Sequence, residues 1–201
     1  MNKPVTYLAL GDSYTIGEGV LLIESFPYQL CQLLRSKGHP VHAPEIVAKT
    51  GWTTDELLQA MEHYQFLEQY SLVTVLTGVN NQYRGRMVEE YKIQFEHLLK
   101  NAIHLAGHKR DHVIVISIPD YGVTPFAQTL NKEKIAKEID LFNSVNRAVS
   151  AQYKVQYVNV TEISRISAGE DMLAADKLHP SGKQYKLWAE IISDALKSLL
   201  K

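Results

Sequence analysis

Cysteine is nearly absent. The only one in 201 residues is Cys31, so no internal disulfide can form. It stands among Leu30, Leu33 and Leu34 on a helical spacing, where a thiol serves as a small buried hydrophobe. A surplus of either charge is also missing: 21 Lys and Arg stand against 22 Asp and Glu, for a formal net charge of -1. Without a dense Lys/Arg cluster the sequence offers nucleic acid no electrostatic footprint. Long apolar runs are lacking too. The first, Val5 to Leu10, is shorter than the core of a secretory signal, and none approaches the ~20 residues needed to span a bilayer. These absences predict a cytoplasmic protein without an integral membrane segment. Repeats, low-complexity tracts and linkers are likewise absent, so residues 1–201 are expected to form a single domain. With 45% hydrophobic residues, that length supports a real core.

What is present alternates. Val5–Leu10, Val41–Ala48, Leu72–Leu76, His112–Ile118 and Val155–Val160 are short and rich in β-branched or aromatic residues, which predicts five strands. Between them run helical periodicities. Phe26, Leu30, Leu33 and Leu34 share one face within 25–37, as do Val88, Tyr91, Phe95, Leu98, Leu99 and Ala102 within 87–106. A third stripe is Ile135, Ile139, Phe142, Val145 and Val149. The last is Tyr185, Trp188, Ile191, Ile192, Ala195 and Leu199. Thr53 or Thr54, followed by Asp55 and Glu56, reads as a helix start. Strands alternating with helices predict an α/β fold, a parallel sheet covered on both faces.

Ligands of open α/β sheets bind beyond the carboxyl ends of the strands. Those ends carry Gly11-Asp12-Ser13, then Thr50-Gly51-Trp52, Gly78-Val79-Asn80-Asn81 and Pro119-Asp120-Tyr121. Asp176-Lys177-Leu178-His179 precedes the final helix, in a loop that such a fold can return to the same edge. A serine hydroxyl becomes a useful nucleophile when a histidine removes its proton and a carboxylate fixes the histidine. Free backbone N–H groups and an asparagine amide at the same rim would receive the oxyanion.

In order, Gly11-Asp12-Ser13, Gly51, Gly78-Val79-Asn80 and Asp176-Lys177-Leu178-His179-Pro180 resemble the four blocks of the SGNH (GDSL-type) hydrolases. The resemblance implies a three-layer, flavodoxin-like fold with strand order 2-1-3-4-5. It implies Ser13 as nucleophile, His179 as base and Asp176 as its orienting carboxylate. The oxyanion hole would comprise the Ser13 and Gly51 backbone N–H groups and the Asn80 side-chain amide. The expected activity is carboxylic ester hydrolysis on a small-molecule acyl ester by a broad esterase or lipase-like enzyme, with lysophospholipids and thioesters among the open substrates, and with no metal or organic cofactor. One departure stands out: the family commonly has aspartate after that asparagine, and here the residue is Asn81.

Other roles exist for each residue. Ser13 or Asp176 could cap a helix, Gly51 could end a strand, and Asn80 could form a turn. Asp12 is expected to fix its loop by accepting from backbone N–H groups. His104 and His108 have the i, i+4 spacing of metal ligands, but Gly107 interrupts them and a third ligand is lacking, so surface histidines are expected. For the substrate, Leu22 (in the run Val20–Ile23), Trp52, Tyr83 and Tyr121 are the candidate contacts. Val123, Phe126, Met172 and Leu173 are further apolar candidates, and Arg84 and Arg86 candidates for an anionic leaving group. Carbohydrate O-deacetylation, acyl transfer and a non-catalytic flavodoxin-like binding module stay open as alternatives. A receiver-type phosphoacceptor domain or a phosphate-loop nucleotide site does not fit the residues after strands one and three.

Overall fold

The computed structural model of the chain describes residues 3–166 and 170–196. Five parallel strands form one sheet: β1 (Tyr7–Gly11), β2 (Glu45–Ala48), β3 (Leu72–Leu76), β4 (Val113–Ile116) and β5 (Gln156–Val158), in the order β2-β1-β3-β4-β5. The three inner strands are buried along their whole length, as runs of Leu, Val and Ile require. The edge strands β2 and β5 are partly exposed.

The helices are α1 (Ser13–Ile16), α2 (Phe26–Ser36), α3 (Thr54–Glu62), α4 (Val79–Tyr83), α5 (Val88–Leu105), α6 (Lys132–Tyr153), α7 (Thr161–Ile166) and α8 (Gly182–Ala195). Each predicted apolar stripe lies on a helix whose core-facing residues are buried, apart from Leu199, which lies outside the described residues. Helices α2 and α8 pack on one another, and α5 packs between α3 and α6. Under α8, Trp188 meets Tyr185 edge-on at 5.1 Å and Phe26 at 6.3 Å. Fully burying one such aliphatic or aromatic side chain stabilises the fold by about 1.5–3 kcal/mol. Cys31 is buried among them, and burial pushes its thiol up to about 11.

The strands are shorter than their apolar runs. Val41 makes only an isolated bridge to Val5, and β2 begins after Pro44, which has no N–H for a ladder. Past β4, Asn143 of α6 takes over the pairing: its side chain accepts from Ile118 N–H at 2.8 Å and donates to Ile118 O at 3.0 Å.

Register decides what meets at the carboxyl edge. Gly11 pairs with Ala48 on one side and Leu76 on the other, so β1, β2 and β3 end at one level. Beyond β3 the chain turns through Gly78 at φ 120°. A Cβ there would stand 2.6 Å from Tyr91 Oη and 2.8 Å from Ile118 Cδ1. Gly78→Ala therefore combines backbone strain with overpacking, and we expect it to lower unfolding stability by roughly 2–4 kcal/mol in urea titrations. A change below 1 kcal/mol, or about one hydrogen bond, would contradict the close packing at this turn.

Candidate active site

Ser13 opens α1 but does not cap it. Asp12 is the cap, its Oδ1 accepting from Tyr14 N–H at 3.1 Å, while Thr15 N–H bonds to Asp12 O at 3.0 Å. The helix supplies no acceptor for the Ser13 N–H. Asp12 is wholly buried and its Oδ2 has no partner. Burial raises its pKa to about 7, against the lowering effect of the Tyr14 hydrogen bond.

The histidine loop is a small hairpin. Leu173 bridges Pro180, Ala174 N–H bonds to His179 O at 2.8 Å and Ser181 N–H to Met172 O at 2.9 Å. Lys177 turns the chain at φ 58°. Asp176 divides its two oxygens. Oδ1 accepts from the Leu178 and His179 N–H groups at 2.9 and 3.0 Å, and Oδ2 lies 2.6 Å from His179 Nδ1. Partial burial would raise the carboxyl's pKa, but the bonds from the His179 ring and the two amides outweigh it and hold it below the usual range. An ionised Asp176 keeps the proton on Nδ1 and leaves Nε2 as the acceptor nitrogen. The cap of α8 is Ser181, not Asp176. The Tyr14 ring meets His179 edge-on at 5.5 Å and Trp188 at 6.2 Å, so the imidazole rests on the aromatic core.

After β2, Trp52 N–H bonds to Lys49 O at 3.2 Å, closing a turn whose third residue, Gly51, has φ 83°. That is type II geometry, in which glycine is the residue of choice. Asn80, on α4, donates Nδ2 to Trp52 O at 2.9 Å, which leaves its second amide hydrogen unused by that bond.

Asn81 is buried and faces α3. Its Oδ1 accepts from Thr54 N–H at 3.1 Å and its Nδ2 donates to Thr54 Oγ1 at 2.8 Å; the Thr54 hydroxyl in turn donates to Gln94 Oε1. An amide suits this place because it donates and accepts, so asparagine fits without an extra buried charge.

A cleft of about 170 Å³ joins these elements. Ser13, Gly51, Asn80 and His179 line it, together with Tyr83 and Tyr121 from the expected substrate contacts and Phe126 from the wider apolar set. Leu22 and Trp52 do not line it. Leu22 is 52% exposed on the turn Leu22–Glu24, and Trp52 packs half-buried against the core. Met172 and Leu173 build the hairpin, away from the cleft lining. Arg84 and Arg86 are engaged within the chain: Arg84 Nη2 donates to Gly51 O at 2.6 Å, and Arg86 pairs with Glu90 at 3.3 Å. Tyr14, Thr50, Val79 and Leu178 also line the cleft. Thr50, Val79 and Leu178 fall within the strand-end and motif segments read from the sequence and Tyr14 directly follows one, though none of the four was singled out as a contact. Thr50 is also tied outward, its hydroxyl donating to the Glu18 carboxylate.

His104 and His108 are neighbours, with ring nitrogens 3.4 Å apart. Among the described residues, no three or more metal-ligating side chains converge, and no helix is long and apolar enough to cross a membrane.

Comparison with known proteins gives the family and the fold. The model of the GDSL-like lipase/acylhydrolase family matches residues 9–187, and the chain belongs to that family. No curated protein matches it by sequence. Among solved structures it is similar to the lipase/acylhydrolase from Enterococcus faecalis, at TM-score 0.74 and 22% identity over 98% of this chain and 97% of that one. An acetyl xylan esterase, Axe2 from Geobacillus stearothermophilus in a variant form, gives 0.75 and 16% over 98% and 96%. The psychrotrophic esterase EstA from Pseudoalteromonas sp. gives 0.70 and 21% over 97% and 98%. At these identities the likeness establishes the fold, an SGNH-type α/β/α sandwich.

Asp12 supplies a test by linkage. Its carboxyl ionises near pH 4 when unfolded and near 7 when folded. Between those values the folded chain holds the extra proton, so rising pH removes stability, and above about 7 the full loss is reached. The stability of Asp12→Asn relative to the parent should therefore grow from pH 4 to 7 and then level off. A gap independent of pH in urea titrations would show that Asp12 is not held neutral.

Proposed function

We propose that this chain, acting as a single SGNH-type domain, is a carboxylic ester hydrolase with Ser13 as nucleophile. The observation that carries this reading is the 2.6 Å contact of Asp176 Oδ2 with Nδ1 of His179, which lines a cleft together with Ser13, Gly51 and Asn80. His179 Nε2 takes the Ser13 proton as Oγ attacks the ester carbonyl carbon. The oxyanion is received by the Ser13 N–H, the Gly51 N–H and the Asn80 amide. His179 then gives the proton to the departing alcohol, and afterwards activates water to release the acid and restore Ser13. Every step uses side chains and backbone of the cleft.

The substrate side of the cleft is largely aromatic: Tyr83, Tyr121 and Phe126 meet with ring centroids 6.0–6.5 Å apart. Such walls favour a compact apolar or aryl ester over a charged one. A second reading on the same residues is carbohydrate O-deacetylation. Tyr83 and Phe126 are 58% and 43% exposed, so a sugar face can stack there, and one structural neighbour is an acetyl xylan esterase.

A p-nitrophenyl ester series from acetyl to long-chain acyl tests the reading. Ser13→Ala should abolish turnover, and Asn80→Ala should lower kcat by roughly 10²–10³, the usual loss for one oxyanion donor. Activity that survives Ser13→Ala would refute the serine mechanism. An acetyl ester of xylan hydrolysed faster than any aryl ester would select the carbohydrate reading.

A further inference from the structure

The Gly51 turn is weakly determined by its own residues. Its closing bond is Trp52 N–H to Lys49 O, and glycine at its third position leaves the Thr50–Gly51 peptide plane with more than one accessible orientation. The Gly51 N–H lies in that plane and the Gly51 carbonyl in the next, so a shift of the carbonyl would carry the shared Gly51 Cα with it and move the N–H away from the cleft. Two side chains brace the turn from outside, and both come from one short stretch: Asn80 inside α4, and Arg84 at its carboxyl end. Asn80 holds Trp52 O; Arg84 Nη2 donates to Gly51 O at 2.6 Å.

Arg84 is itself anchored. Its Nη1 lies 3.2 Å from Glu56 Oε2, and that carboxylate also accepts from Thr53 N–H at 2.9 Å at the start of α3. A guanidinium is a rigid planar fork, so holding two of its nitrogens fixes the whole group. Its Nη2 is also the one atom near where a Gly51 Cβ would stand, at 3.7 Å. Arg84 does not line the cleft, so it has no direct path to a substrate there.

We propose that Arg84 is a positioning residue of the oxyanion hole, bridging Glu56 to the Gly51 carbonyl and so holding the Gly51 backbone, with its N–H, in place at the cleft. Its catalytic consequence rests on the esterase reading above. The Arg84 and Glu56 side chains are 42% and 38% exposed, so their ion pair adds little to global stability. The effect belongs in turnover, where a small misplacement of a donor is costly.

The test compares Arg84→Met, Arg84→Lys and Arg86→Met. The last removes the same charge from a side chain that pairs with Glu90 and Asp55 and is not bonded to the turn. With p-nitrophenyl acetate, Arg84→Met should lower kcat about tenfold with KM within about twofold, the signature of a contact that matters in the transition state. Arg84→Lys should recover part of the loss, since an ammonium can reach the carbonyl but lacks the fork. Arg86→Met and the urea midpoint should stay near the parent. Independently of activity, ¹⁵N relaxation should show the Gly51 amide newly mobile in Arg84→Met. A kcat within about twofold of the parent, with the Gly51 amide unmoved, overturns the proposal. Should the parent hydrolyse no ester, the esterase reading falls, and the Gly51 amide alone decides whether Arg84 sets the turn.

Discussion

The level at which β1, β2 and β3 end is the constraint on which the site depends. Ser13, the Gly51 turn and Asn80 belong to three different connections, and they come together because Gly11 pairs with both Ala48 and Leu76. A slip of one residue along any of these strands would move its connection by ~3.3 Å, more than a hydrogen bond tolerates. It would also exchange the faces of every side chain on that strand. With β1 and β3 buried along their whole length between helices, such a slip must repack both layers at once. The apolar core therefore acts on the chemistry indirectly, by forbidding the registers in which the donors miss one another.

The histidine is placed by a different logic. Its orientation is decided within four residues, because one carboxylate supports both the turn and the ring: Asp176 Oδ1 takes two backbone N–H groups and Oδ2 takes Nδ1. The Asp-x-x-His spacing is what lets one side chain do both. Only the position of the hairpin depends on tertiary structure, through the Phe126 N–H bond to Lys177 O at 3.4 Å and the Tyr14 ring against His179. The same Phe126 lines the cleft, which couples the aromatic wall to the histidine loop.

Much of this was legible in the sequence. Five apolar runs separated by amphipathic stripes gave the layers, and the residues after the first four runs, with the Asp176–His179 loop, gave most members of the cleft. Strand ends were less legible, because a run such as Val41–Ala48 stays apolar through Pro44 although the ladder does not form there. The strand order came from family resemblance, since hydrophobic periodicity carries no information on which strands pair. The roles of Arg84 and Asn81 were hidden for another reason: their partners, Gly51 and Thr54, lie about thirty residues earlier, and nothing in composition marks such polar pairs. Leu22 and Trp52 misled because an apolar residue beside a motif packs inward or lies exposed with equal ease, and only the fold decides which.

Several local departures from comfortable structure lie at this same edge, although others, such as His108 and Lys154 at positive φ, lie away from it. Gly51 and Gly78 hold positive φ there, Lys177 does so without being glycine, and Asp12 Oδ2, Thr15 Oγ1 and Thr77 Oγ1 are buried without partners just past β1 and β3. Each unpaired buried polar atom costs about 1–3 kcal/mol. Inside the strands that precede them, the polar side chain of Thr74 is by contrast paired with Tyr7 Oη at 2.8 Å. The pattern is that of a well-satisfied sheet tolerating conflict where its strands open into loops, and conflicts of this kind cluster where a site must be held in a geometry that the backbone alone would not choose. Weak exposed bonds such as Arg84 to Gly51 then matter out of proportion to their contribution to stability. They choose among loop conformations of nearly equal energy, a choice the apolar core beneath them cannot make.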